Sequence, residues 1–263
     1  MIFCKIKPHI ICICSPDKIN FIKLLFETID ENGKIDYSAT LIVNTFKNKN
    51  IDVKLSDKIE VLYSETNYWN HPPERWFVKP KSDICIFLDF DILNLNDINP
   101  LLYLCKRKNS LCGVLAYNFD VEYKLINSVF DQCGVIFSPK KKTWRDNNLI
   151  PSYYNYGVLC MPSEIMLKIS NVISKNVNIV NNIAFRENNN YLKRHGGQIA
   201  LSISIEELNI KTFDLPLRYN FPNTFYDLEE NYPLEKEKIV FKHLLIKDKD
   251  TVLKERINRL SYS

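Results

Sequence analysis

Two carboxylates, Asp89 and Asp91, flank Phe90 directly after five apolar residues, Ile84 to Leu88 (ICIFL). The apolar run reads as a buried strand, and open α/β sheets bind their ligands at the carboxyl ends of such strands. A strand period of two turns both carboxylates to one side and Phe90 to the other, into the core. Acids about 6–7 Å apart at the mouth of an apolar sheet repel one another and lose solvation. A cation relieves both costs. Hard oxygen ligands favour Mn2+ or Mg2+, and such ions usually bridge to phosphate oxygens of a substrate. The competing reading is a strand that ends in a polar turn with an aspartate cap. Other acid-x-acid triplets, Glu235/Glu237 and Asp248/Asp250, read as solvated faces. Position at the end of a core strand separates Asp89 and Asp91 from them.

Other groups suit the same chemistry. Residues 66–80 include Tyr68, Trp69, His71, Arg75 and Trp76. Aromatic faces fit a base or sugar ring and a guanidinium fits a diphosphate, although these aromatics could equally cover a sheet edge. Lys140, Lys141 and Lys142 with Arg145 could hold an anionic acceptor or form a solvated charge run. His243, beside Lys242 in a short apolar segment, is either a metal ligand or a strand histidine with a hydrogen-bonded tip. Lys242 or Lys247 could neutralise the phosphates of a leaving group.

Composition excludes several alternatives. The 263 residues are 46% hydrophobic, enough for a sizeable core, and a net charge of +4 argues against a dedicated nucleic-acid binder. Six glycines, at Gly33, Gly113, Gly134, Gly157, Gly196 and Gly197, permit no G-x-G-x-x-G, P-loop or G-x-S-x-G motif. The eight cysteines contain no C-x-x-C, and the four histidines are scattered, so the cysteines read as small buried hydrophobes in a reducing compartment. No apolar run reaches membrane-spanning length and no cleavage site follows the amino end. The expectation is a soluble, cytoplasmic protein.

The elements that must position the carboxylates alternate short apolar runs with amphipathic stretches, as in an α/β domain. Strands are expected at His9 to Cys14, Ala39 to Val43, Ile59 to Tyr63, Ile84 to Leu88, Leu111 to Tyr117, Tyr153 to Met161 and Ile239 to Phe241. Ser15-Pro16-Asp17 opens a helix with Phe21, Leu24, Leu25 and Ile29 on one face. Further helices are expected over Val121 to Phe130, after Ser163 as N-cap, over Gln198 to Leu208, and around Val252 to Leu260. The Asn-rich stretch 171–191 carries no clear periodicity.

In four ordered segments the chain resembles the GT-A glycosyltransferases, closest to glycosyltransferase family 8 and its relatives. These are HIICICSPDKI, SDICIFLDFDILNLNDI, YYNYGVLCMP and GGQIALSISIEELNIKTFDLPLRYNF, with IVFKHL as a fifth near the carboxyl end. The acid pair and the N-x-G-V segment are the more specific signals. The resemblance implies an α/β fold of GT-A, Rossmann-like type: a mixed, mainly parallel sheet flanked by helices in a single domain over 1–263. Residues 1–117 would be the nucleotide-sugar-binding half, and 118–263 the acceptor half with a closing carboxyl-terminal segment.

Residue by residue, the resemblance implies that Asp89 and Asp91, with Phe90 between them, bind the metal and the donor diphosphate. His243 would be the third metal ligand, and Ser15 and Asp17 would contact the nucleoside. Asn155 and Gly157 would line the sugar and acceptor side, and Gln198 would lie beside the anomeric carbon. Two departures stand out. Gly197 occupies a position that is often acidic in the family, and the first loop lacks an Ala/Thr-rich start.

The expected function is a metal-dependent glycosyltransferase of hexosyltransferase type, with retaining chemistry weighed. It would use a nucleotide-sugar donor, with a UDP-sugar favoured, and a carbohydrate or other hydroxyl acceptor. Membrane contact through the carboxyl-terminal stretch is weighed but not favoured. The alternatives are a nucleotidyltransferase acting on a sugar phosphate, which the glycine-free SPDKINF loop disfavours, or an inactive nucleotide-sugar-binding protein. A glycoside hydrolase would need a second acid paired across the sugar with Asp89, and none is marked out.

Overall fold

In the computed structural model, which describes residues 5–46, 53–66, 73–144, 148–222 and 238–244, the apolar runs pair into one central sheet. The strands are β1 (His9–Cys14), β2 (Ser38–Asn44), β3 (Ile59–Ser64), β4 (Ile84–Asp89), β5 (Ile92–Asn94), β6 (Leu111–Leu115), β7 (Lys141–Lys142), β8 (Leu149–Ile150), β9 (Tyr154–Pro162), β10 (Thr212–Asp214), β11 (Phe221–Pro222) and β12 (Phe241–His243). The helices are α1 (Ile19–Asn32), α2 (Asn99–Lys108), α3 (Tyr123–Gln132), α4 (Ser163–Arg186) and α5 (Asn190–Glu207). The seven-stranded sheet has the order β10-β6-β9-β4-β1-β2-β3. It is parallel except at β9, which runs antiparallel to both β4 and β6. A second sheet, β11-β12-β5, and the β7–β8 pair complete the strands.

Alternation along the central strands builds a core on each face. Ile11, Ile13, Cys85, Phe87, Leu159 and Met161 share a cluster with the apolar residues of α3, α4 and α5. Ile10, Cys12, Ile84, Ile86, Leu88 and Cys160 pack with α1 and α2. Because both faces are covered, these strands read as continuous apolar runs rather than alternating ones. The seven described cysteines are buried free thiols, as their scatter suggests. Burial pushes the thiols up, to about 12 at Cys14 and about 11 at Cys85 and Cys133.

Local readings differ from the structure in several places. The Asn-rich stretch belongs to the 24-residue helix α4. Ile169, Ile173, Val177, Val180 and Ala184 recur on its buried face, and Asn176, itself buried, donates to Ser204 Oγ at 3.0 Å on α5. Packing on α5 therefore overrides the weak helix propensity of asparagine. Ser163 is the first helical residue rather than the cap, and its hydroxyl donates to the Ser82 carbonyl. The strand expected at Ile239 to Phe241 forms two residues later, as β12. Helix α2 and strand β5 were not anticipated. The expected terminal helix, Lys247, Arg145, Tyr68, Trp69 and His71 lie outside the described residues. Among the described residues, no helix is long and apolar enough to cross a membrane.

Candidate active site

Strand β4 ends at Asp89, so the acid pair spans the strand end and the turn that follows rather than one strand face. Asp89 continues the parity of Cys85 and Phe87 and meets Arg75 on the α4/α5 side. Phe90 turns the other way, as expected, and packs edge-on against Phe21 of α1 with ring centroids 6.2 Å apart. Asp91 lies in the turn leading to β5. Its carbonyl accepts the Leu244 amide at 2.8 Å, which ties the end of β12 to the acid pair.

β12 pairs with β5 in antiparallel register, His243 opposite Ile92, and so carries His243 to the aspartates. His243 Nε2 approaches Asp91 Oδ1 to 3.4 Å. Ligand atoms of Asp89, Asp91 and His243 all lie within 4.8 Å of one another. Asp91 and His243 are each 8% exposed, and the Asp89 side chain keeps 18%, so the cluster sits at the mouth of the sheet rather than sealed inside it. Burial raises the Asp89 carboxyl above the ordinary range; the Arg75 guanidinium opposes that shift, and the Asp91 charge adds to it.

Arg75 is wholly buried. It donates from Nη1 to Asp89 Oδ1 at 3.3 Å and lies 4.6 Å from the Tyr156 ring centroid. Its Nε and Nη2 have no hydrogen-bond partner among the described residues. Tyr156 in turn donates to the Gly197 carbonyl at 2.6 Å. Gln198, the next residue of α5 and itself buried, is thus joined to Asp89 through Gly197, Tyr156 and Arg75.

The N-x-G-V segment reaches the cluster from β9. Asn155 Oδ1 accepts the Gly157 amide at 2.8 Å and the Asn220 side-chain amide at 2.9 Å. Asn220 Oδ1 lies 3.1 Å from His243 Nδ1, and the Asn220 carbonyl accepts the Tyr117 hydroxyl. A Cβ on Gly157 would stand 3.0 Å from Asn220 Nδ2, Asn220 Oδ1 and His243 Cε1. Gly157 therefore makes room for the Asn220–His243 pair. Sequence reasoning missed Asn220, although it stands in the quoted LPLRYNF segment, and it also missed the parts of Tyr117 and Tyr156.

Ser15 and Asp17 follow β1, whose Ile13 is in register with Asp89. Both are exposed, and Ser15 Oγ donates to Asp17 Oδ1 at 2.5 Å. The hydrogen bond from Lys18, then that from Ser15, holds the Asp17 carboxyl below its usual range. Alternation along β12 turns Lys242 to the face opposite His243. Lys141 is engaged elsewhere, with Asp214 at 2.5 Å and Tyr154 at 2.6 Å.

The donor set fits a divalent cation. Two carboxylates and one imidazole, largely desolvated and gathered within 4.8 Å, are a ligand set that would hold a hard divalent cation such as Mn2+ or Mg2+.

No protein-family model matches the chain, and no curated protein matches its sequence. Solved structures do match. A crystal structure of the galactosyltransferase LgtC in complex with donor and acceptor sugar analogues superposes with a TM-score of 0.61 at 13% identity, over 92% of this chain and 88% of that one. An active-site Gln-to-Glu mutant of LgtC gives 0.60 at 12% identity, over 95% of each chain. The agreement runs through nearly the whole of both chains, so this protein is built on the GT-A fold of LgtC.

Proposed function

We propose that the chain is a metal-dependent glycosyltransferase that moves a sugar from a nucleotide-diphosphate sugar, a UDP-sugar by preference, to an acceptor hydroxyl. One observation carries this reading: Asp89, Asp91 and His243 converge at the carboxyl end of the central strand of a GT-A sheet. Asp89, Asp91 and His243 would hold Mn2+ or Mg2+. When bound, the ion supplies positive charge against the departing nucleoside diphosphate. The exposed Ser15 and Asp17, at the end of the strand beside β4, would meet the nucleoside. Residues 1–117 would carry the donor, and 118–263 the acceptor.

Buried Gln198 and half-buried Asn155 offer neutral amides to the sugar and the incoming hydroxyl. The LgtC active site contains a glutamine whose replacement by glutamate was studied structurally, which favours giving Gln198 such a part. Arg75 holds Asp89 from within, and a direct contact with the diphosphate would require its segment to open.

The test is a titration with UDP-sugars, with and without Mn2+, followed by product analysis. Saturation near 100 Kd should stabilise the protein by about 2.7 kcal/mol, and Mn2+ with UDP should stabilise it more than either alone. Nucleotide binding that EDTA leaves unchanged would exclude the metal-dependent reading. Binding without transfer or hydrolysis would reassign the chain as a binding protein, consistent with Gly197 in place of an acid.

A further inference from the structure

Three side chains and one backbone amide between β9 and β12 have a single consistent set of hydrogen-bond directions. The Gly157 backbone N–H can only donate, so the Asn155 atom 2.8 Å away must be its carbonyl oxygen. That same oxygen lies 2.9 Å from the Asn220 side chain, which must therefore offer its NH2 group there. Asn220 is wholly buried, so its remaining Oδ1 faces His243 Nδ1 at 3.1 Å. An amide oxygen can only accept. Nδ1 must then carry a proton, so the neutral imidazole keeps its lone pair on Nε2, the nitrogen 3.4 Å from Asp91. In that tautomer Nε2 and the Asp91 carboxylate are both acceptors, and a cation between them would relieve their repulsion.

We infer that Asn220 is a positioning residue that sets the His243 tautomer for metal binding, and that Asn155 and the Gly157 amide orient Asn220 for this task. The inference rests on the metal reading above and extends it to residues that touch no ion. Metal-bound imidazoles are commonly held by an acceptor on the other nitrogen, and loss of that acceptor typically costs 10–100-fold in metal affinity. Here the acceptor is an amide, which can rotate by half a turn, and the link to Gly157 is what forbids the rotation. Asn155 thereby acquires a role in ion binding separate from any contact with sugar.

The experiment uses the full chain, with Mn2+ alone as probe, and two readouts. Long-range 15N–1H correlation of histidine-labelled, metal-free protein reports the His243 tautomer. Electron paramagnetic resonance titration reports Mn2+ affinity. The wild type should show Nδ1 protonated. Asn220→Ala should shift His243 toward the Nε2-protonated form and weaken Mn2+ about 10–100-fold. Asn155→Ala should mix the tautomers and weaken Mn2+ by a smaller factor, whereas Asn155→Asp, which keeps the acceptor and adds negative charge, should keep the Nδ1-protonated tautomer and bind Mn2+ no more weakly than the wild type. Asn155 is half-buried, so its variants keep the test open should Asn220→Ala fail to fold.

A wild-type His243 protonated at Nε2 overturns the relay. So do Asn155→Ala and Asn220→Ala proteins with wild-type tautomer and Mn2+ affinity, an outcome that leaves the metal reading standing. A tautomer that follows the variants in a protein without Mn2+ affinity fails the metal reading instead, and ends the relay's role in metal binding with it.

Discussion

Arg75 Nη1 lies 3.3 Å from Asp89 Oδ1 with the whole guanidinium out of solvent. The Arg75 guanidinium favours the charged form of the carboxylate that ends this buried strand. Low solvation and the Asp91 charge disfavour that form, and Arg75 opposes them without cancelling the upward shift.

Arg75→Met should therefore destabilise the protein by about 2–3 kcal/mol, below the ~3–5 kcal/mol of a sealed pair because Asp89 keeps contact with solvent. In an Asp89→Asn background the same change should cost at least about 1 kcal/mol less, since the shared charge interaction is already gone. Urea unfolding of the four proteins measures the difference. Strictly additive costs would show that the pair does not interact.

Asp91→Asn removes one of two crowded carboxylates. The metal-free protein should be as stable as wild type or slightly more so, and the Mn2+-dependent thermal shift with UDP should vanish. A loss above roughly 2 kcal/mol without ligand, the scale of a lost cap, would make Asp91 a structural turn residue.

Gly157→Ala places a methyl group 3.0 Å from both Asn220 amide atoms and from His243 Cε1. Overpacking of this kind costs about 1–3 kcal/mol. The displacement should also weaken Mn2+ at least about tenfold, as for other losses of a ligand's support. Calorimetric titration with Mn2+ checks it, and wild-type affinity would show that His243 need not sit where Asn220 holds it.

His9 is buried at the amino end of β1. It is bonded to Thr40 Oγ1 at 3.0 Å and accepts the Lys81 amide on Nδ1 at 3.1 Å. Burial, then the Lys81 charge, lowers its pKa from 6.5 to about 4. The folded state prefers neutral His9, so its contribution is complete above pH 6.5 and is lost as pH falls toward 4. Between pH 7 and 4.5 that loss amounts to about 2 kcal/mol. His195, lowered to about 4 chiefly by burial, acts in the same direction. His9→Asn should be less stable than wild type at pH 7, with the gap closing by about 2 kcal/mol at pH 4.5. A gap of constant size would remove His9 from the acid response.

Ile84 to Asp89 was legible because burial on both sheet faces writes an unbroken apolar run, and a run that stops at two acids marks a strand end. Strands β1, β2 and β9 were visible for the same reason, and helix α1 by the apolar face that recurs at its helical period. Helix α4 was not. Its asparagines lower local propensity, and only contact with α5 makes the stripe from Ile169 to Ala184 decisive. The pairing of Asp89 and Asp91 was foreseen, but by strand alternation, whereas a turn brings them together.

The order of amino acids alone dictates the acid pair, the apolar strand behind it and a glycine at position 157. Those features are set by neighbours within a few residues. It could not show that Gly157 faces Asn220, that Asn220 faces His243, or that Arg75 lies under Tyr156 against Asp89. The Asn220–Asn155 contact spans 65 residues and the Asn220–His243 contact 23. Both exist because β9 inserts antiparallel between β4 and β6 while β12 pairs back onto β5. Hydrogen-bond direction depends on which atoms meet across such distances, and strand order, a property of the whole chain, decides that.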